Sequence, residues 1–165
     1  MIVTVIDNTA ALMKAVRALT QCEVLIGIPA DTPARASEAG DATPISNAAL
    51  GYLMERGSPA NNLPPRPFLV PGVEAIREPA LARLKKAGQQ ALAGDVAQVD
   101  KALHAVGLMG QNAVRKKITD GPFTPLAPRT LQQRRARGRS GEKPLIDTGA
   151  LRASLTYVVR KRNGR

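Results

Sequence analysis

Residues 125–155 read PLAPRTLQQRRARGRSGEKPLIDTGALRASL, and the fold turns on how this stretch is read. Its first part is a dense cationic run in which Arg134, Arg135, Arg137 and Arg139 are spaced by glycine, serine and alanine. Its second part, Pro144 to Leu155, is apolar on both sides of Asp147-Thr148-Gly149. Those three residue types favour a tight turn, so Leu145, Ile146 and Leu151 read as a compact docking element. Thr130 to Arg137 has the composition of a short basic helix, and Gly138 to Lys143 is expected to be flexible. Asp147-Thr148 can cap a short turn carrying Leu151. Ser154 to Val159 then reads as a closing strand, followed by the basic end Arg160-Lys161-Arg162.

Working outward, the charge is one-sided. The chain carries 24 Lys and Arg against 13 Asp and Glu, for a net charge of +11. Up to Val114 cations and anions balance, so the whole excess falls from Arg115 onward. A field of one sign usually faces a polyanion: nucleic acid, an acidic protein surface or an anionic membrane. The plainer alternative is a solvated segment that keeps the protein soluble. The four arginines 134, 135, 137 and 139 are the expected electrostatic surface. They are close enough to meet successive phosphates, but no helix-turn-helix or zinc module accompanies them. The two Phe and two Tyr are too few to stack single-stranded bases. Any DNA contact is therefore expected to be to the backbone and to weaken with salt.

A length of 165 residues suits one domain, taken here as 1–165 with a long basic loop over about 120–146. Aromatic residues are scarce and Trp is absent, so the core has to come from Leu, Val, Ile, Ala and Met. Interiors rich in alanine favour helices that approach closely. Ile2, Val3, Val5 and Ile6 form a β-prone opening closed by Asp7-Asn8. Leu12, Val16 and Leu19 share one helical face. Val24 to Ile28 is a nearly unbroken apolar run ended by Pro29, so a strand covered on both faces is expected. Asp31 to Asp41 reads as a loop. Thr43 offers a cap with Pro44 at the first helical position, and Gly57 suits the left-handed end of that helix. After Gly57, Ser58 to Leu69 reads as one extended segment stiffened by the prolines of Pro64-Pro65-Arg66-Pro67-Phe68-Leu69, either a linker or an arm laid on a neighbouring subunit. A helix is expected from Pro79 to Ala93 with Leu81, Leu84 and Leu92 inward. Gly94-Asp95 then separates it from a second helix, whose Val96, Val99, Leu103, Val106, Gly110 and Ala113 recur at spacings of three and four.

Signals for catalysis are weak, and no enzyme is expected. His104, the single histidine, sits in a helical pattern beside Ala and Val and reads as a half-buried structural residue rather than a general base. Cys22 heads an apolar strand and reads as a small core residue; alone it forms no internal disulfide. Neither zinc-ligand nor Ca²⁺-loop spacing occurs, so no cofactor or metal is expected. Residues 138–144 lack the glycine spacing and the Ser/Thr after Lys of a phosphate loop. No targeting signal or bilayer-length apolar segment is seen, and assembly in the cytosol with no membrane partner is expected.

Three stretches, in order, resemble the tail-completion, neck and virion-morphogenesis proteins of tailed phages. They are Val24 to Pro29; Asn47 to Ser58 with Pro64 to Leu69; and Pro125 to Ser154, with its Leu145-Ile146-Asp147-Thr148-Gly149 and Leu151-Arg152 pattern. Residues 80–118 carry no signature of that family. The resemblance implies a structural virion protein of α+β fold, a small antiparallel sheet packed with several helices and joined by long ordered loops. It further implies a homo-oligomeric ring, commonly a hexamer, at the neck or head-proximal tail, flanked by head-connector or adaptor proteins and by tail-tube or tail-terminator proteins. Within such a ring Pro64, Pro65, Arg66, Pro67, Phe68, Leu69, Leu145, Ile146 and Leu151 are the expected subunit or partner contacts. A tail terminator or minor tail protein, or a free-standing basic DNA-binding protein, are the alternatives.

Overall fold

The computed structural model describes residues 9–30 and 45–162. The opening strand expected at Ile2–Ile6, the Asp7-Asn8 cap, the 31–41 loop and the Thr43-Pro44 helix start lie outside them. Among the described residues the fold is α+β, with seven α-helices and one antiparallel pair of strands. In chain order these are α1 (Thr9–Thr20), β1 (Cys22–Gly27), α2 (Asn47–Arg56), a 3-10 turn (Pro59–Asn61), α3 (Leu69–Glu74), α4 (Arg77–Leu92), α5 (Ala97–Asp120), α6 (Pro128–Ala136), α7 (Ala150–Ala153) and β2 (Thr156–Lys161). The contacts within the chain fall into two compact units.

The first unit comprises residues 1–25, 76–109 and 157–165. Its core is small-residue packing: Ala15, Ala91, Val99 and Leu103 are buried, with Ala18, Leu19, Cys22, Val24, Leu84, Val96 and Val159 against them. Cys22 is thus a partly buried core residue with a free thiol. The face of α4 that turns inward is its alanine stripe, Ala80, Ala87 and Ala91, which with Leu84 follows the helical repeat of three and four. Leu81 and Leu92 fall off that stripe and are exposed, against expectation. The same correction holds for α1, where Ala15 is fully buried while Leu12 and Val16 are exposed. Both reversals have one cause. Helices α1 and α4 pack on each other, and a seam of methyl groups lets their backbones approach as a seam of leucines cannot.

Strand β1 is only partly covered, and Leu25 is 40% exposed. A sheet of two strands has no room to bury both faces of either one, so the expectation of a doubly covered strand fails. Arg160 Nε meets Glu23 Oε1 across the pair at 2.8 Å, and the Arg162 amide donates to the Gln21 carbonyl at 2.6 Å. Tyr157 packs on α5 at Gly107, where an added Cβ would collide with the ring. The His104 ring meets the same tyrosine edge-on at 5.9 Å. It is exposed rather than half-buried, because the inward arc of α5 passes through Ala102, Leu103, Val106 and Gly107 and leaves position 104 outside it.

The second unit comprises residues 26–75 and 110–156. Phe68, Val114, Ile118, Leu145, Leu151 and Leu155 form its core, with Ile26, Ile28, Met54, Leu69, Val73, Phe123 and Ile146 packed around them. Helix α2 starts at Asn47, where Ser46 Oγ accepts the Ala49 amide at 3.1 Å, the ordinary serine cap. Gly57 ends α2 with φ +74° and its amide on the Leu53 carbonyl, as its sequence position implies. Helix α6 opens on Pro128, whose missing N–H costs nothing there.

Candidate assembly face

The proline-rich segment is shaped by two charged side chains. The Glu55 carboxylate on α2 accepts the amides of Phe68 at 2.7 Å, Leu69 at 2.8 Å and Val70 at 3.0 Å. These are orphan donors at the start of α3, and an anion is the best acceptor for them. Arg66 is 4% exposed; its Nε and one terminal nitrogen donate to the Thr124 and Pro125 carbonyls at 2.8 and 3.0 Å. Burial first, and then the nearby positive charge of Arg134, push its guanidinium below the usual arginine range. In an extended chain alternate side chains face opposite ways. Hence Arg66 and Phe68 go inward, while Pro65 and Pro67 stay exposed and Pro64 and Leu69 are half-buried. The segment expected to lie on a neighbouring subunit is folded onto its own unit instead, leaving Pro65 and Pro67 as its outward face.

The arginine run is likewise split. Arg134 was expected at the surface but is 8% exposed. It donates to the carbonyls of Gly141, Lys143 and Ile146 at 2.8, 2.9 and 3.0 Å, and to that of Pro144 at 3.4 Å. Its Nε also stands 3.4 Å from Asp147 Oδ1. A loop rich in Gly and Pro has no ladder to take up its carbonyls, and one planar five-donor guanidinium takes up several. Residues 138–143, expected to be flexible, are held by this clasp. Arg139 is tied to Asp147 at 2.7 Å and is three-quarters covered. Arg135 is exposed and pairs with Glu142 at 3.1 Å, and Arg137 is exposed. Arg129 and Arg152 join them on the surface.

The docking element shows the same inward turn. Leu145 and Leu151 are 5% and 6% exposed and belong to the unit's own core, with Ile146 half-buried beside them. Leu145 and Leu151 bind this unit together and are not available as contacts for a second chain. What faces outward here is Thr148 and Arg152. Around them lies a hollow of about 530 Å³ whose cations are Arg115 and Arg152. Arg115 was absent from the sequence-derived site. The signal that could have found it is its position next to Val114, at the edge of the apolar repeat on α5. A second hollow of about 260 Å³ is apolar, lined by Ile28, Tyr52, Phe68, Leu69 and Val70 among others.

Among the described residues no cluster of three His, Cys, Asp or Glu could hold a metal ion, and no helix is long and apolar enough to cross a membrane. His104 Nδ1 lies 3.3 Å from the Tyr157 hydroxyl and Nε2 3.8 Å from Asp100. The histidine side chain is 52% exposed, so water is not kept from the group. Comparison of the chain with family models, with curated proteins and with solved structures finds no match.

Proposed function

We propose that this chain is a non-catalytic structural protein of a tailed phage, a ring component that joins head to tail at the neck or head-proximal tail, as a homohexamer. The observation that carries the reading is where the resembling stretches lie. Ile26 and Ile28 of the first, Phe68 of the second, and Leu145 and Leu151 of the third meet in one core. Arg66 of the second stretch also holds the Pro125 carbonyl that opens the third. Residues of all three motifs thus meet in one core, with Val24 and Leu25 of the first belonging to the other unit. Loops held by charged clasps suit a subunit whose edges must keep their shape while gripping head-connector and tail proteins.

The test is removal of the gene from the phage that encodes the chain. Full heads and finished tails should accumulate unjoined, and supplying the protein to them should restore infectious particles. Joined particles formed without it would overturn the proposal. The exposed Arg129, Arg135 and Arg137 favour one rival reading, a free-standing protein that binds the DNA backbone. A gel-shift titration across salt separates the two, since tight duplex binding by a monomer at physiological salt belongs to the rival alone.

A further inference from the structure

We infer that the hollow between α5 and α7 is a binding site for a carboxylate on an acidic segment of a partner protein. Two guanidinium groups from different elements, Arg115 and Arg152, line it together with the Thr148 hydroxyl. Arg115 spends one terminal nitrogen on the Leu155 carbonyl at 2.8 Å. Arg152 spends one on the Thr119 hydroxyl at 3.1 Å. Each keeps further donors, and among the described residues neither has a carboxylate partner. The Thr148 oxygen accepts the Ala150 amide at 3.4 Å, which leaves its proton to give. The Lys143 ammonium adds positive charge nearby, donating to the Thr119 carbonyl at 2.8 Å.

One carboxylate does line the hollow, that of Asp147; its Oδ2 is taken up, while its Oδ1 is buried with no hydrogen-bond partner among the described residues. Arg139 holds Oδ2 at 2.7 Å and Arg134 Nε stands 3.4 Å from Oδ1. Its charge is therefore compensated from its own loop, while that of Arg115 and Arg152 is not. Uncompensated guanidinium pairs beside a hydroxyl recognise planar oxyanions through paired, charge-assisted hydrogen bonds. The lining of the hollow favours a carboxylate on a peptide over a nucleic-acid phosphate. Ile146 and Ala153 stand in its wall and offer apolar contacts that a side chain's methylenes can use. Duplex phosphates lie on a broad convex backbone and suit cations that protrude. The inference rests on this hollow alone and holds whatever the chain's place in a virion.

The test is fluorescence anisotropy of a labelled hexaglutamate peptide at low ionic strength, with a short DNA duplex as competitor. The unaltered chain should bind the peptide. Arg152→Gln, at an exposed position, should weaken binding by about tenfold or more, and Thr148→Val by a smaller factor. Arg135→Gln, the same charge change outside the hollow, should alter it less than about threefold. Equal losses from Arg152→Gln and Arg135→Gln would replace the site with a diffuse field and overturn the inference. So would a duplex that displaces the peptide and depends on Arg152 more strongly than the peptide does. A chain that binds no peptide at all would overturn it too. None of these readouts requires a ring or a particle, so the inference and the proposed function can fail separately.

Discussion

At the scale of single residues, the two arginines that matter most to the fold are ones whose charge is turned inward. Arg134 gathers four carbonyls and stands beside a carboxylate, and removing it leaves these part-buried acceptors without their shared donor. Arg134→Met should therefore cost about 3–5 kcal/mol, the range for breaking a buried charged contact by deleting one partner. Arg134→Lys should recover little of this, because a single ammonium cannot span carbonyls arranged for a planar fork. Arg135→Gln, one position along, should cost under about 1 kcal/mol, since its Glu142 pair is open to water. Urea denaturation followed by circular dichroism distinguishes the three, and similar midpoints for Arg134→Met and Arg135→Gln would refute the clasp. The sequence showed that this run was cationic but not which member pointed inward. That choice depends on the path of the carbonyls of residues 141–146, which no local pattern encodes.

At the scale of elements, helices and their ends were largely legible, because caps and periodicity are local. Gly57 as a helix end and the Val99-Leu103-Val106 repeat on α5 both follow from neighbouring residues, whereas α6 begins at Pro128, two residues before the Thr130 that composition suggested. The inward face of α1 and α4 was not legible, because hydrophobic size pointed to Leu and the close approach of two helices selected Ala. Of the Ser58–Leu69 segment expected to be extended, Pro59–Asn61 forms a 3-10 turn and Leu69 opens α3, which leaves Pro64 to Pro67 outside any helix. Its docking on its own unit depends on Glu55 and on carbonyls far along the chain. Two predictions belong here. Gly107→Ala would drive a methyl group into the Tyr157 ring, and should destabilise the first unit by about 1–3 kcal/mol as overpacking does. An unchanged near-ultraviolet tyrosine signal and melting midpoint would count against that seat. Arg129 places a cation in the first turn of α6, which has no acidic residue there. Arg129→Glu should then stabilise by about 0.3–1 kcal/mol through the helix dipole, measurable as a small rise in urea midpoint that fades with added salt.

At the scale of the whole molecule, the charge limits what a ring of these chains can be. Each copy carries +11, so bringing several together works against their mutual repulsion, and salt weakens that repulsion over a Debye length of about 8–10 Å. The cationic side therefore cannot form the seam between copies unless carboxylates of the neighbour face it. Since the carboxylates from Arg115 onward number only three, and all three already pair with cations of their own chain, that stretch does not supply them. A seam built on these cations would need the ten carboxylates before Val114 to face it. Replacing the exposed Arg129, Arg135 and Arg137 with Ser lowers the charge from +11 to +8 and spares the Arg134 clasp. The variant should fold with a stability change of at most about 1 kcal/mol. It should self-associate at least as readily as the unaltered chain and, on the proposed function, bind head or tail structures more weakly. Sedimentation velocity across a salt series checks the first part. Self-association that strengthens or holds as salt rises fits cations pointing away from the seam, whereas a ring that falls apart on adding salt would put them inside it.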